Sequence, residues 1–210
     1  MVKPLKKGEL EAIEMELPQL NELIRERKDP EAGRAIAERL LEKLRAHGRR
    51  SAYLSWLLAI ACDYTSRLVE AADHISIAVA DDPLEPSYQS SRRIIFAKLR
   101  GALLAADSND PASQVGELYA RLSRHGEADV DSHLQMVHWL AAQQRWAELW
   151  PLIQAVVRLH PASAEAWQML CFYATARGDR EQVDAAAAKV AELRAGEAAT
   201  TSAPPGPGVS

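Results

Sequence analysis

The search for residues spaced to do chemistry starts with histidine. The six are His47, His74, His125, His133, His138 and His160. His133 and His138 share one helical stretch, but five residues of separation turn their side chains about 140° apart at 3.6 residues per turn, which disfavours joint metal ligation. Carboxylates are plentiful, yet they sit among Lys and Arg at helix-surface spacings, as in Glu38, Glu42 and Arg45, the pattern of a solvated face. Cys62 and Cys171 lie far apart inside apolar patterns, so they read as buried thiols and not as a disulfide or metal pair. No Gly-rich phosphate loop, Gly-x-Ser-x-Gly elbow or His-Glu-x-x-His is present. No nucleophile, acid–base pair or ligand cluster emerges, so we expect no catalysis, no cofactor and no metal. Two basic clusters remain. Arg49-Arg50 follows a helix end, where the dipole favours positive charge, and Arg92-Arg93 sits early in a long helix with Lys98 and Arg100 further on. Each reads first as surface; phosphate or an acidic peptide is the chemistry such a patch would contact.

The elements that must position these residues are helices. Ala, Leu, Glu, Arg and Gln dominate, apolar residues recur at spacings of three and four (Ile36, Leu40, Leu41, Leu44), and no sustained alternation marks a strand. The spacing predicts helices over 9–16, 18–28, 30–46, 51–64, 66–80, 85–106, 111–124, 129–143, 147–159, 162–176 and 180–194. Pro30 and Pro111 each follow an Asp, which suits an Asp cap with proline at the first helical position. Pro151 interrupts a predicted helix at a cost of about 3 kcal/mol, so the helix either restarts near Trp150 or kinks there. The stretch from Gly196 to Ser210 is Ala, Thr, Ser, Pro and Gly with almost nothing large to bury, and is expected to be a disordered tail.

The 210 residues suffice for one sizeable domain that buries roughly 70% of its unfolded surface, without needing metal or disulfide. A net charge of −4 gives no reason to expect nucleic acid. Acidic residues follow the basic start immediately, and no run reaches the ~18 apolar residues of a membrane span, so the expected location is the cytoplasm. The Ala- and Arg-rich usage hints at a GC-rich bacterial source.

Helices arrive in short pairs, and the pairs repeat. Laying Val130–Ser163 over the chain from Ala164, an offset of 34 residues, puts Met136 on Leu170, Val137 on Cys171, Leu149 on Val183 and Leu159 on Leu193. Leu159-His160-Pro161 closes the first unit, and Gly178-Asp179 makes the inner turn of the second. With Ala164-Glu-Ala-Trp167-Gln-Met-Leu170 as the opening, this resembles the tetratricopeptide repeat family over about residues 51–194. Ala52–Glu85 fits as a further unit, with Ala59, Ala71 and Ala78 at the family's small positions. An irregular unit between holds an excess of about ten residues over three repeat lengths.

The resemblance implies an all-α, right-handed α-α superhelix of antiparallel pairs over 51–194. Residues 1–47 would form an N-terminal helical cap or a degenerate repeat. It also implies a concave groove lined by the first helix of each pair: Tyr53, Trp56, Ile60 and Tyr64, then Asp131, Leu134 and His138, then Glu165, Gln168 and Phe172. Such a face suits a peptide or amphipathic helix of a partner protein. The N-terminal helices could equally cover Tyr53, Trp56 and Ile60. The carboxylate clamp by which some family members hold chaperone C-termini is missing, because Trp56, Ile60, Gln135, Glu165 and Met169 stand where Lys, Arg and Asn are needed. The expected function is a non-catalytic adaptor. Its rivals are a secretion-type chaperone for apolar client segments and a structural subunit that assembles with other copies or chains.

Overall fold

The computed structural model of the chain describes residues 7–201. Among them are ten α-helices and no strand: α1 (Lys7–Arg25), α2 (Pro30–Ala46), α3 (Ala52–Tyr64), α4 (Leu68–Asp81), α5 (Pro86–Ala105), α6 (Val115–Arg124), α7 (Val130–Ala142), α8 (Trp146–Leu159), α9 (Ala164–Arg177) and α10 (Arg180–Thr201). The chain divides into two compact units. One contains the residues up to Ala105 together with Ala120–Glu127; the other contains Ala106–Tyr119 and the residues from Ala128 on.

The repeat is written into the helix ends. The two helices of a pair start 16 residues apart in three places (52 to 68, 130 to 146, 164 to 180). Each first helix has a side-chain cap one residue before it: Ser51, Asp129 and Ser163 accept from the backbone N–H of Leu54, Ser132 and Ala166. Each inner turn passes through one left-handed residue: Ser66 (φ 60°), Gln144 (φ 57°) and Gly178 (φ 78°). The following N–H reaches back to close the helix, from Arg67 to Cys62, Arg145 to Leu140 and Asp179 to Ala174. Glycine takes this conformation freely, so Gly178 is the unstrained version; Ser66 and Gln144 each cost about 1 kcal/mol.

In the first unit α1 packs on α2 and α3, α2 on α3, α3 on α4, and α4 on α5, while α3 also meets α5. In the second, α7 meets α8 and α9, α8 meets α9, and α9 meets α10. First helices therefore touch the next first helix, and the second helices α4 and α6 meet through the Asp73–Arg121 ion pair. Ala59, Ala71 and Ala78 are fully buried, which lets α3 and α4 approach closely.

Three features differ from the sequence expectation, and at Pro151 one of its two alternatives, a restarted helix, is excluded. The stretches 9–16 and 18–28 are one helix, α1, with Pro18 inside it. Ile13, Leu20 and Ile24 are all buried and continue one stripe across the proline, which offsets the single backbone bond it removes. Pro111 does not open a helix: the Asp110 carboxylate accepts from the Ala112 N–H and the Asp110 carbonyl from Ser113, a turn that delays α6 to Val115. The Asp29-Pro30 start matches the expectation, with Asp29 accepting from Ala32. α8 runs unbroken through Pro151. α10 continues past Gly196 to Thr201, into the expected tail, whose remainder (202–210) lies outside the described residues.

Candidate functional site

The expected groove residues of the first unit are engaged by the chain's own helices. Tyr53 donates its hydroxyl to Asn21 Oδ1 of α1 at 2.6 Å. Trp56 Nε1 donates to Ser91 Oγ of α5 at 2.9 Å, and its ring lies 5.7 Å from both Tyr53 and Tyr88. The Arg25 guanidinium sits 5.6 Å from the Trp56 ring, and Arg27 sits 4.2 Å from that of Tyr64. Ile60 is half-buried. Of the two readings left open by the sequence, this arrangement matches a face covered by α1.

The expected residues of the second unit are more open. Asp131, His138 and Glu165 are exposed, Leu134 and Gln168 are half-buried, and Phe172 is 67% exposed. Hydrogen bonds from its own backbone N–H and from the Ser163 hydroxyl hold the Glu165 carboxyl below the usual range.

Arg92 and Arg93 do not act together. Arg92 pairs with Glu127 at 2.9 Å, donates to the His125 carbonyl at 3.3 Å and lies over Phe96. Arg93 is exposed.

An apolar concavity lies between α8 and α9, a groove of ≈ 620 Å³ lined by Trp146, Trp150, Pro151, Tyr173, Ala176 and Arg177 among others. Trp146 is 53% exposed and stands 6.3 Å from Tyr173; Phe172 meets the Tyr173 ring edge-on at 5.0 Å. Arg177 lies 4.6 Å from the Trp150 ring. Burial pushes the Tyr173 phenol up. Pro151 has no N–H to give the Ala147 carbonyl, and Ala147 lines the same groove. The result is an apolar trough with a cation at its rim, enriched in the Trp, Tyr and Arg that dominate binding hot spots. Sequence reasoning noted Pro151 only as a helix problem. The signal was the pairing of Trp146 with Trp150 and of Tyr173 with Arg177, each four residues apart and so on one helix face.

No described group of three His, Cys, Asp or Glu is placed to hold a metal. Burial pushes the Cys62 thiol up to about 12. A half-buried polar pair was not foreseen: the Tyr119 hydroxyl and His133 Nδ1 share a hydrogen bond at 2.8 Å, with the His160 ring 5.3 Å away. Burial first, then the neighbouring charge of His160, lower the His133 pKa against the opposing pull of Asp129. His74 is lowered by burial, then by Arg45, against Asp73, Glu70 and Glu38.

These two histidines predict acid lability. Each is neutral in the folded chain where the unfolded chain binds a proton, so stability rises with pH between the depressed folded values and about 6.5, and is lost as pH falls through that window. Thermal midpoints measured from pH 7.5 to 5 should fall, and the fall should shrink in the His74→Gln/His133→Gln variant. An unchanged slope in that variant would refute the assignment.

No family model matches the chain, and no curated protein does. No described helix is long and apolar enough to cross a membrane. Among solved structures the chain is similar to MamA 41-end from Desulfovibrio magneticus RS-1, at 14% identity, covering 88% of this chain and 96% of that one, with a TM-score of 0.36. A MamA RS-1 ArsTM double mutant gives the same figures. BtubC (BKLC) from P. vanneervenii is 15% identical, with 97% of this chain and 85% of that one covered and a TM-score of 0.36. Likenesses this distant carry no functional argument; the chain's own helix pairs and side chains must supply it.

Proposed function

We propose that this protein is a non-catalytic, protein-binding helical scaffold, and that the groove between α8 and α9 receives an apolar segment of a partner protein. The observation that carries the reading is the aromatic trough itself, with Trp146 and Phe172 left more than half exposed beside it. Large aromatics gain most from leaving water, and a monomer seldom leaves several together at its surface. The Trp150 ring with Arg177 over it supplies a wall and a rim charge. Leu134, His138, Gln168 and Phe172 extend the surface along the first helices of the second unit. The face at Tyr53, Trp56 and Tyr64 takes no part, because α1 and α5 already engage it.

The test is quantitative capture with the full chain. Trp150→Ala is expected to weaken partner binding by about 2 kcal/mol, roughly thirtyfold, with the circular dichroism spectrum unchanged. A companion Trp146→Ala, at the more exposed ring, should weaken it without touching stability. Equal affinity in both folded variants would remove the groove from the proposal. Sedimentation of the protein alone separates a foreign partner from a second copy of this chain: only in the latter case does Trp150→Ala change the protein's own mass.

A further inference from the structure

The first unit holds a second concavity of different chemistry. It is ≈ 370 Å³, lies where α2 ends, α3 begins and α4 ends, and is lined by Arg45, Arg49, Arg50, Ser51, Ser55 and Asp81 over a floor that includes Leu41. A left-handed Gly48 (φ 66°) builds it. The Arg49 N–H returns to the Leu44 carbonyl, which closes α2 and leads Arg49-Arg50 directly into Ser51, the cap of α3.

We propose that this pocket binds a phosphomonoester dianion. Three arginines and one carboxylate, Asp81, line it, and that carboxylate is engaged by Arg50 at 3.3 Å. Two positive charges are therefore left over, which matches a dianion. Among the described residues neither Arg45 nor Arg49 has a carboxylate partner. Their planar forks present paired N–H donors to phosphate oxygens. The pocket lies beside the start of α3, whose dipole is positive at that end.

Ser55 adds a hydroxyl to this lining: the residue is 2% exposed, and its Oγ bonds no described residue. A phosphate oxygen in the pocket would accept from it. This site is argued without reference to the groove between α8 and α9, and either can fail alone.

The experiment is a calorimetric titration of the full chain with inorganic phosphate, with ionic strength held constant by sodium chloride. Saturable binding is expected. Arg45→Ala/Arg49→Ala should weaken it about tenfold or more, the scale of losing charge-assisted hydrogen bonds. Arg49→Lys keeps the charge but loses the fork, and should weaken it several-fold in a chain whose folding is not in question. Ser55→Ala should do likewise, and Arg158→Ala, outside the pocket, should change nothing. A phosphoserine peptide that binds more tightly than inorganic phosphate identifies a phosphorylated protein segment as the source; equal affinities identify a small phosphate. No saturable phosphate binding, or the same affinity in folded Arg45→Ala/Arg49→Ala, overturns the proposal. So does an unphosphorylated Glu-rich peptide that binds as tightly as the phosphopeptide.

Discussion

Phe96→Ala is expected to lower the unfolding free energy by about 3–5 kcal/mol, the range for emptying a buried aromatic site. Phe96 is among the largest fully buried side chains, at 1% exposure. Its ring meets the edge of His125 at 5.4 Å, and the Arg92 guanidinium lies 5.4 Å from its centre. Arg92 in turn holds Glu127, and Asp73 of α4 receives Arg121 at 3.1 Å and faces His125 at 3.4 Å. Removing the ring opens a cavity beneath this polar cluster, so the hydrogen bonds above it also lose their support. Against a typical total of 5–15 kcal/mol, such a loss leaves a marginal protein. Urea unfolding should show the midpoint fall with its slope unchanged, while the exposed neighbour Arg93→Ala stays within about 0.5 kcal/mol. A loss below 1 kcal/mol for Phe96→Ala would mean that the ring does not organise this junction.

The sequence made the helices legible because their signals are local. The cap at Asp29-Pro30 predicts the start of α2, and the 34-residue offset lays α7 and α8 on α9 and α10 residue for residue. The irregular unit also begins in register, since α5 starts 34 residues after α3 (52 to 86), and the excess length falls inside that unit. The resemblance placed Ala59, Ala71 and Ala78 at close helix contacts, and all three are buried completely. What escaped was set by packing. An apolar stripe carried α1 through Pro18, which no local rule for proline anticipates. The groove is made by side chains of α8 and α9 more than twenty residues apart, such as Trp150 and Tyr173, and their meeting is a property of how the two helices cross. Likewise, the sequence could list Tyr53, Trp56 and Tyr64 as an aromatic face, but not that Asn21, Arg25 and Arg27 would reach it.

That covered face depends on one close approach between α1 and α2, and Gly33 controls it. A Cβ added at Gly33 would stand 2.4 Å from Ile24 Cγ1 and 3.4 Å from Leu23 Cβ. Ile24 is fully buried, and the atom met is in the middle of its side chain, so a rotamer change at the tip does not relieve the contact. Gly33→Ala gains about 1 kcal/mol of helix propensity but incurs roughly 1–3 kcal/mol of overpacking, so a net loss of about 1 kcal/mol is expected. Gly33→Leu has no such balance and should cost about 3 kcal/mol, enough to lift α1 from α2. Separation would release Tyr53 from Asn21 and Tyr64 from Arg27, exposing the aromatic face of α3. Trypsin should then cut the α1–α2 link at Arg27 and Lys28 well before the rest of the chain, and Trp56 emission should shift to the red as its ring becomes wet. If Gly33→Leu is as stable as the parent and its link as protected, then α1 is not held by this contact, and the face at Tyr53 and Trp56 returns as a candidate surface for partners.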